Sequence, residues 1–247
     1  MNRYCILCTP RSGGTSLEDS IYEAFYYKKS MNIDTVPMKF QEYFHPEMVI
    51  WNDRHGNRYK LNSKLNNPDR NEFINKISTL ISTNTNSITM RIFPLPLYDN
   101  INFNLYEYLM FLNDNKFKFI HLYRNFNDRL ISLSVSKVSN FWHRSRYSKN
   151  KVNPDSILSK NNKIILNLDD IAKNYNDLKM IDWNLNKILK KINYILINYE
   201  TMLEDCRLND IEVVTDHDSL KMYEDPYSEI IENYQEIIDF IEHYHNG

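Results

Sequence analysis

Residues 8 to 16 read Cys-Thr-Pro-Arg-Ser-Gly-Gly-Thr-Ser, a composition suited to holding an anion. Ser12, Thr15 and Ser16 offer hydroxyl donors and Arg11 offers a guanidinium. Gly13 and Gly14 let the backbone come close to a ligand with no Cβ in the way. The chain has four glycines in 247 residues, and two of them stand side by side here. An apolar run over 4–8 precedes the pair, and helical spacing of Leu17, Ile21, Ala24 and Phe25 follows it. A strand, a tight turn and a helix N-terminus aim several backbone N–H groups at one point. The helix dipole there adds about 0.3–1 kcal/mol for an anion. The same residues also suit an ordinary turn with Ser or Thr as the helix N-cap. The coincidence of arginine, hydroxyls and paired glycines predicts a phosphate cradle.

A second constellation lies at 121–132, His-Leu-Tyr-Arg-Asn-Phe-Asn-Asp-Arg-Leu-Ile-Ser. Arg124 follows an apolar run and Ser132 comes eight residues later, a little over two helical turns on. The planar guanidinium makes bidentate, charge-assisted bonds to a dianionic phosphate. Taken alone, an arginine at a strand end is also a common solvated surface group.

The elements that position these residues follow from periodicity. Strands are expected at 4–8, 87–93, 117–123 and 194–198, with helices at 15–27, 72–82, 104–113, 126–138 and 169–192. Residues 29–72 and 140–154 read as irregular, the first broken by His45-Pro46, Asn67-Pro68 and Gly56, the second basic. A single acidic amphipathic helix is expected over 225–245. In the long helix, Trp183, Leu185, Ile188, Leu189 and Ile192 form an apolar stripe expected in the core. Strands alternating with helices predict an α/β fold, a P-loop-like, mostly parallel sheet flanked by helices. The expected organisation is one domain over 1–247, with 205–247 an acidic helical extension packed on it.

Composition narrows the function class. With 30 basic and 32 acidic side chains and a pI near 6.4, the chain lacks the strongly basic character of bulk nucleic-acid binders. No run of 18 apolar residues exists, so no membrane span is expected, and the first residues lack the pattern of a signal peptide. A cytoplasmic location is the expectation. Cys5, Cys8 and Cys206 are an odd number of thiols; the first two lie inside an apolar run and read as strand residues rather than a redox pair. His121 reads as a core histidine.

The nucleotide-kinase loop, G-x-x-x-x-G-K-[ST], fails here, because Thr9 stands at its first glycine and Thr15 at its lysine. Pro10-Arg11-Ser12-Gly13-Gly14-Thr15 instead resembles the 5′-phosphosulfate loop of the sulfotransferases, P-[KR]-S-G-[GST]-T. Arg124-Asn125, Asp128 and Ser132 resemble that family's 3′-phosphate segment, in the same order and on the same elements. Gln41-Glu42-Tyr43-Phe44, the stretch from Ser132 to Trp142-His143, and Tyr199-Glu200 resemble segments of the trehalose 2-sulfotransferase-like branch.

The resemblance implies binding of 3′-phosphoadenosine 5′-phosphosulfate (PAPS), without a metal, and transfer of its sulfuryl group to a small-molecule or glycan acceptor. It implies that Arg11 through Ser16 hold the 5′-phosphosulfate, that Arg124 and Ser132 hold the 3′-phosphate, and that Tyr199 borders the adenine. Many cytosolic sulfotransferases place a catalytic histidine after the second strand; the matching stretch here is Arg91-Ile92-Phe93-Pro94, with Phe93 in its place. The trehalose-type branch uses a glutamate, which points to Glu42, with His45 and Glu47 nearby as substitutes. An unperturbed glutamate, pKa about 4.3, is a weak base, so this role implies burial that raises its pKa. Arg91 suits either the sulfuryl group or an ion pair. The basic aromatic stretch Trp142–Lys151 suits either cofactor recruitment or a solvated surface. A homodimer is compatible with the sequence. Two other expectations stand beside this one: a non-catalytic adenosine-phosphate binder and a P-loop kinase.

Overall fold

The computed structural model describes residues 3–14, 17, 21, 38–45, 48–52, 58–61, 78, 82, 88–92, 105–140, 157–202, 207–208, 211–212 and 225–246. The chain divides into two compact units, one built from Met1–Tyr123 with Met180–Thr215 and the other from Arg124–Lys179 with Asp216–Gly247.

The first unit is organised around a seven-stranded sheet. Its strands are β1 (Arg3–Cys8), β2 (Met38–His45), β3 (Met48–Asn52), β4 (Arg58–Leu61), β5 (Ile88–Ile92), β6 (Lys118–Tyr123) and β7 (Tyr194–Asn198), in the order β4-β3-β2-β5-β1-β6-β7. The pairs β2–β5, β5–β1, β1–β6 and β6–β7 are parallel, whereas β2–β3 and β3–β4 are antiparallel. The α/β class expected from the alternation of elements is therefore present. β1 is the middle strand of the parallel set, and Tyr4 through Cys8 are all buried. That is why it reads as one continuous apolar run rather than an alternating one. Helix α1 (Leu105–Asp114) buries Tyr108, Leu109 and Leu112. Arg3 ties the start of β1 to the segment after α1 by donating to the Asn115 carbonyl at 2.6 Å.

β2, β3 and β4 lie in the stretch read as irregular, which is corrected here to a strand pair and an edge strand. Met38–Gln41 and Arg58–Leu61 do alternate apolar and polar residues, but each run is short and Glu42 breaks the first, so pairing with neighbours makes these strands. The His45-Pro46 and Gly56 breakers fall where the strands end or connect. Within the expected helix over 15–27, Gly14, Leu17 and Ile21 are helical, with Leu17 and Ile21 buried.

In the second unit, α2 (Phe126–Ser139) begins at the N-cap Asn125 and ends at Asn140 in the left-handed conformation. Asn125 Oδ1 accepts from the backbone N–H groups of Asn127 and Asp128 at 2.9 and 3.3 Å. Helix α3 (Leu168–Leu189) follows; its residues from Met180 on, with the chain as far as Thr215, belong to the first unit. Its stripe residues Leu185, Ile188 and Leu189 are buried, but Trp183 is 56% exposed, with Lys187 Nζ 3.1 Å from its ring centroid. The helical period turns Trp183 off the buried face, and a cation covers it instead. Helix α4 (Tyr199–Met202) follows β7, and β8 (Arg207–Leu208) pairs antiparallel with β9 (Ile211–Glu212).

The single C-terminal helix expected over 225–245 is two helices, α5 (Tyr227–Ile230) and α6 (Tyr234–Asn246). Ile231 is extended (φ −106°, ψ 121°) and bridges Ile164. Ile164 N donates to the Ile230 carbonyl at 3.0 Å and Glu232 N donates to the Ile164 carbonyl at 2.8 Å. Asn233 then exchanges hydrogen bonds with both backbone groups of Leu166. A tertiary bridge overrides helix propensity at that point. Among the described residues no helix is long and apolar enough to cross a membrane.

Candidate functional site

A tight turn follows β1 over residues 9–14. Arg11 and Gly13 both have positive φ, 66° and 82°, and among the described residues Ser12 between them does not. Backbone that alternates hand in this way turns successive N–H groups to one side and forms an anion-binding concavity. Ser12 N donates to the Thr9 carbonyl at 3.3 Å, and the buried Thr9 and Ser12 hydroxyls lie 2.8 Å apart in a hydrogen bond. Leu17 N donates to the Gly13 carbonyl at 3.1 Å, so the helix starts at the glycine pair. Thr15 and Ser16 lie outside the described residues.

Gly13 is required by conformation and by space, and Gly14 by space alone. A Cβ on Gly13 would stand 2.5 Å from two ring carbons of Tyr199. A Cβ on Gly14 would stand 2.7 Å from Cys8 Sγ and 2.8 Å from Arg91 Cδ. The turn is therefore clamped between the ring that follows β7, a side chain of β1 and a side chain of β5. The Tyr199 backbone is set by the start of α4, where Asn198 Oδ1 accepts from Glu200 N at 3.0 Å and the Asn198 carbonyl accepts from Thr201 Oγ1 at 3.3 Å. Arg91 is level with Ile6 in the parallel register and is only 2% exposed. Its side chain lies against Gly14, bringing a second arginine to this turn.

Cys8 lies against the turn and Cys5 lies deeper in the same strand; both are buried and neither is in a disulfide. Burial pushes the Cys5 thiol well above its ordinary value, and the charge of Cys8 pushes the same way. Cys5 is thus held as a neutral packing group, the opposite of what a redox pair needs. A Gly14→Ala chain is expected to lose about 1–3 kcal/mol of stability through overpacking. Adding Cys8→Ala removes the sulfur in the way, so the two substitutions should be markedly non-additive in a denaturation cycle. Strict additivity would mean that the sulfur is not the obstacle.

Glu42 and His45 lie on β2, whose side chains are outside the described set. Phe40 pairs with Met90, so Glu42 lies two residues further along, toward the end of the sheet where β1 delivers the turn. The register of β2 against β3 shifts between Gln41 and His45, and such irregularities re-aim side chains. Glu47, Phe93 and residues 141–156 lie outside the described residues.

In the second unit, Arg124 is half-buried directly after β6, and Ser132 on α2 is 1% exposed. The Ser132 carbonyl accepts from Ser136 Oγ at 2.7 Å. Ser134 accepts from Asn174 Nδ2 at 2.8 Å, and Lys137 donates to Asn174 Oδ1. Sequence reasoning passed over Arg129. It is 3% exposed, donates from Nε to the Arg124 carbonyl at 3.1 Å, and packs 5.4 Å from the Phe126 ring centroid.

The chain matches no protein-family model and no curated protein.

The structure thus gathers Arg11, Ser12, Gly13, Gly14, Tyr199 and the unassigned Cys8 and Arg91 in the first unit, while Arg124, Arg129 and Ser132 belong to the second. The contact of Tyr199 with Gly13 has no local signal, since 186 positions separate the two residues. Arg129 had one: in the 14-residue helix α2 it heads a run, Leu130 to Ser136, made only of aliphatic residues and serines.

Proposed function

We propose that the chain is a sulfotransferase that moves a sulfuryl group from PAPS to a hydroxyl of a carbohydrate or small metabolite. The observation that carries the reading is the turn over 9–14, with its alternating backbone hand and its buried Arg91, at the carboxyl end of the middle strand of a parallel sheet. Open α/β sheets bind ligands at that end. The donor set fits a phosphosulfate: backbone N–H groups, the hydroxyls of Ser12, Thr15 and Ser16, and two guanidinium groups. Thr15 takes the position at which a nucleotide kinase has its lysine.

When bound, PAPS supplies the sulfuryl group and a phosphate leaving group. Arg11 and the amides of the glycine pair stabilise charge on that phosphate, an electrostatic role that a preformed turn performs without reorganising. Arg124 and Ser132 hold the 3′-phosphate and Tyr199 borders the adenine. Glu42 takes the proton of the acceptor hydroxyl, with His45 the alternative base.

The test is nucleotide selectivity. At 100 times its Kd, 3′-phosphoadenosine 5′-phosphate should stabilise the chain by about 2.7 kcal/mol in a melting experiment, while ATP with Mg²⁺ should not. Arg124→Ala should erase the preference for 3′-phosphoadenosine 5′-phosphate over 5′-AMP. A preference untouched by that substitution overturns the assignment, and stabilisation by ATP with Mg²⁺ alone would favour a kinase. Binding without transfer of labelled sulfate to any acceptor in a panel would favour the inert binder that Phe93 suggests.

A further inference from the structure

Arg124 sits at a junction where backbone bonding changes partner. β6 ends at Tyr123, and the first helical bond of α2 runs from Arg129 N to the Asn125 carbonyl at 3.1 Å. The Arg124 carbonyl lies between, past the last ladder residue and before the helix. Arg129 serves it from the side chain, Nε donating at 3.1 Å. One residue therefore pins two successive carbonyls, Asn125 through its backbone and Arg124 through its guanidinium.

Arg129 is in turn held by ring packing. Its guanidinium carbon lies 5.4 Å from the Phe126 centroid, and Phe126 meets Tyr175 edge-to-face at 5.1 Å. Lys179 Nζ stands 4.7 Å from the same Phe126 centroid. Cations at a helix N-terminus work against the helix dipole, and only Asp128 is acidic in this first turn. Arg129 and Lys179 thus both stand against the Phe126 ring at this end of α2.

We infer that Arg129 is a positioning residue for Arg124: it fixes the backbone that carries the 3′-phosphate-binding guanidinium before the nucleotide arrives. The inference rests on the sulfotransferase reading of Arg124. Holding a binding group in its bound arrangement improves affinity by removing an ordering cost. A lysine cannot substitute, because an ammonium on a flexible stem lacks the planar fork that engages a carbonyl while lying on a ring.

The experiment is titration calorimetry of the full chain with 3′-phosphoadenosine 5′-phosphate and with 5′-AMP, which differ only in the 3′-phosphate. Arg129→Lys keeps charge and stem; Arg129→Gln offers a neutral amide donor in a chain that need bury no charge there. The affinity ratio between the two nucleotides should fall at least about tenfold in either variant, with 5′-AMP affinity nearly unchanged. In an Arg124→Ala background, Arg129→Lys should lower the ratio no further, because its effect passes through Arg124. A purely structural role would weaken both nucleotides alike and leave the ratio intact, and that result overturns the inference, as does full additivity in the cycle. If the unaltered chain shows no preference between the nucleotides, the reading of Arg124 falls and this inference falls with it. A wild-type preference that survives both Arg129 variants overturns this inference alone.

Discussion

Gly13→Ala is expected to weaken binding of 3′-phosphoadenosine 5′-phosphate at least about 100-fold, equivalent to roughly 2.7 kcal/mol. Two penalties act at this one position. The φ of 82° is a conformation that costs an L-residue about 1–2 kcal/mol. The new methyl would also stand 2.5 Å from the Tyr199 ring, and overpacking of that kind costs about 1–3 kcal/mol. The turn can escape both by changing hand at residue 13, which turns the N–H groups away from the anion while the sheet beneath stays intact. Binding should therefore fail before the chain unfolds, with a melting-temperature loss of several degrees at about 2–4 °C per kcal/mol. Tyr199→Ala in the Gly13→Ala chain separates the penalties: it removes the steric one and leaves the conformational one. Partial recovery of binding is the expected result. Full recovery would mean that the positive φ is unimportant, and unchanged binding in Gly13→Ala itself would remove the turn from the site.

Glu42→Gln is expected to lower turnover by about 10²–10⁴-fold, the usual contribution of a general base, with binding of 3′-phosphoadenosine 5′-phosphate unchanged. The substitution is nearly isosteric and removes only the ability to accept a proton. A carboxylate base works in its ionised form, so the unaltered chain should lose activity as pH falls through the Glu42 pKa. The Gln variant should lose that acid limb of the profile along with the rate. His45→Gln serves as the comparison and should cost far less. If His45→Gln abolishes transfer and Glu42→Gln does not, the base is His45, and the proton transfer passes to the next turn of the same irregular strand.

The candidate site was legible where its chemistry is carried by consecutive residues. Arg11 through Gly14 stand out because rare glycines, hydroxyls and an arginine coincide, and Arg11 and Gly13 have positive φ in a tight turn. What stands around the turn was not legible. Arg91 gave no sign in its own segment that it would be buried against Gly14, because that contact comes from the parallel register of β5 against β1. The bond from Arg129 to the Arg124 carbonyl is likewise a product of how α2 follows β6, although Arg129 stands beside a run of aliphatic residues and serines.

The elements divide along the same line. β1, β6 and α2 follow from local pattern, since a buried parallel strand is a bare apolar run and a capped helix has its Asn and its period. β2 depends on β5, remote in sequence, with β3 and β4 added to it in turn, and the break at Ile231 depends on a bridge to Ile164. By itself, the sequence determined the α/β class, the turn that follows the first strand and the two arginine-bearing segments, all set by short-range sterics and periodicity. Only the tertiary structure decided why neither glycine tolerates a side chain, since Cys8 and Arg91 reach them from two strands and Tyr199 from the helix after a third. Such contacts are products of register and packing, and neither is written in any one segment.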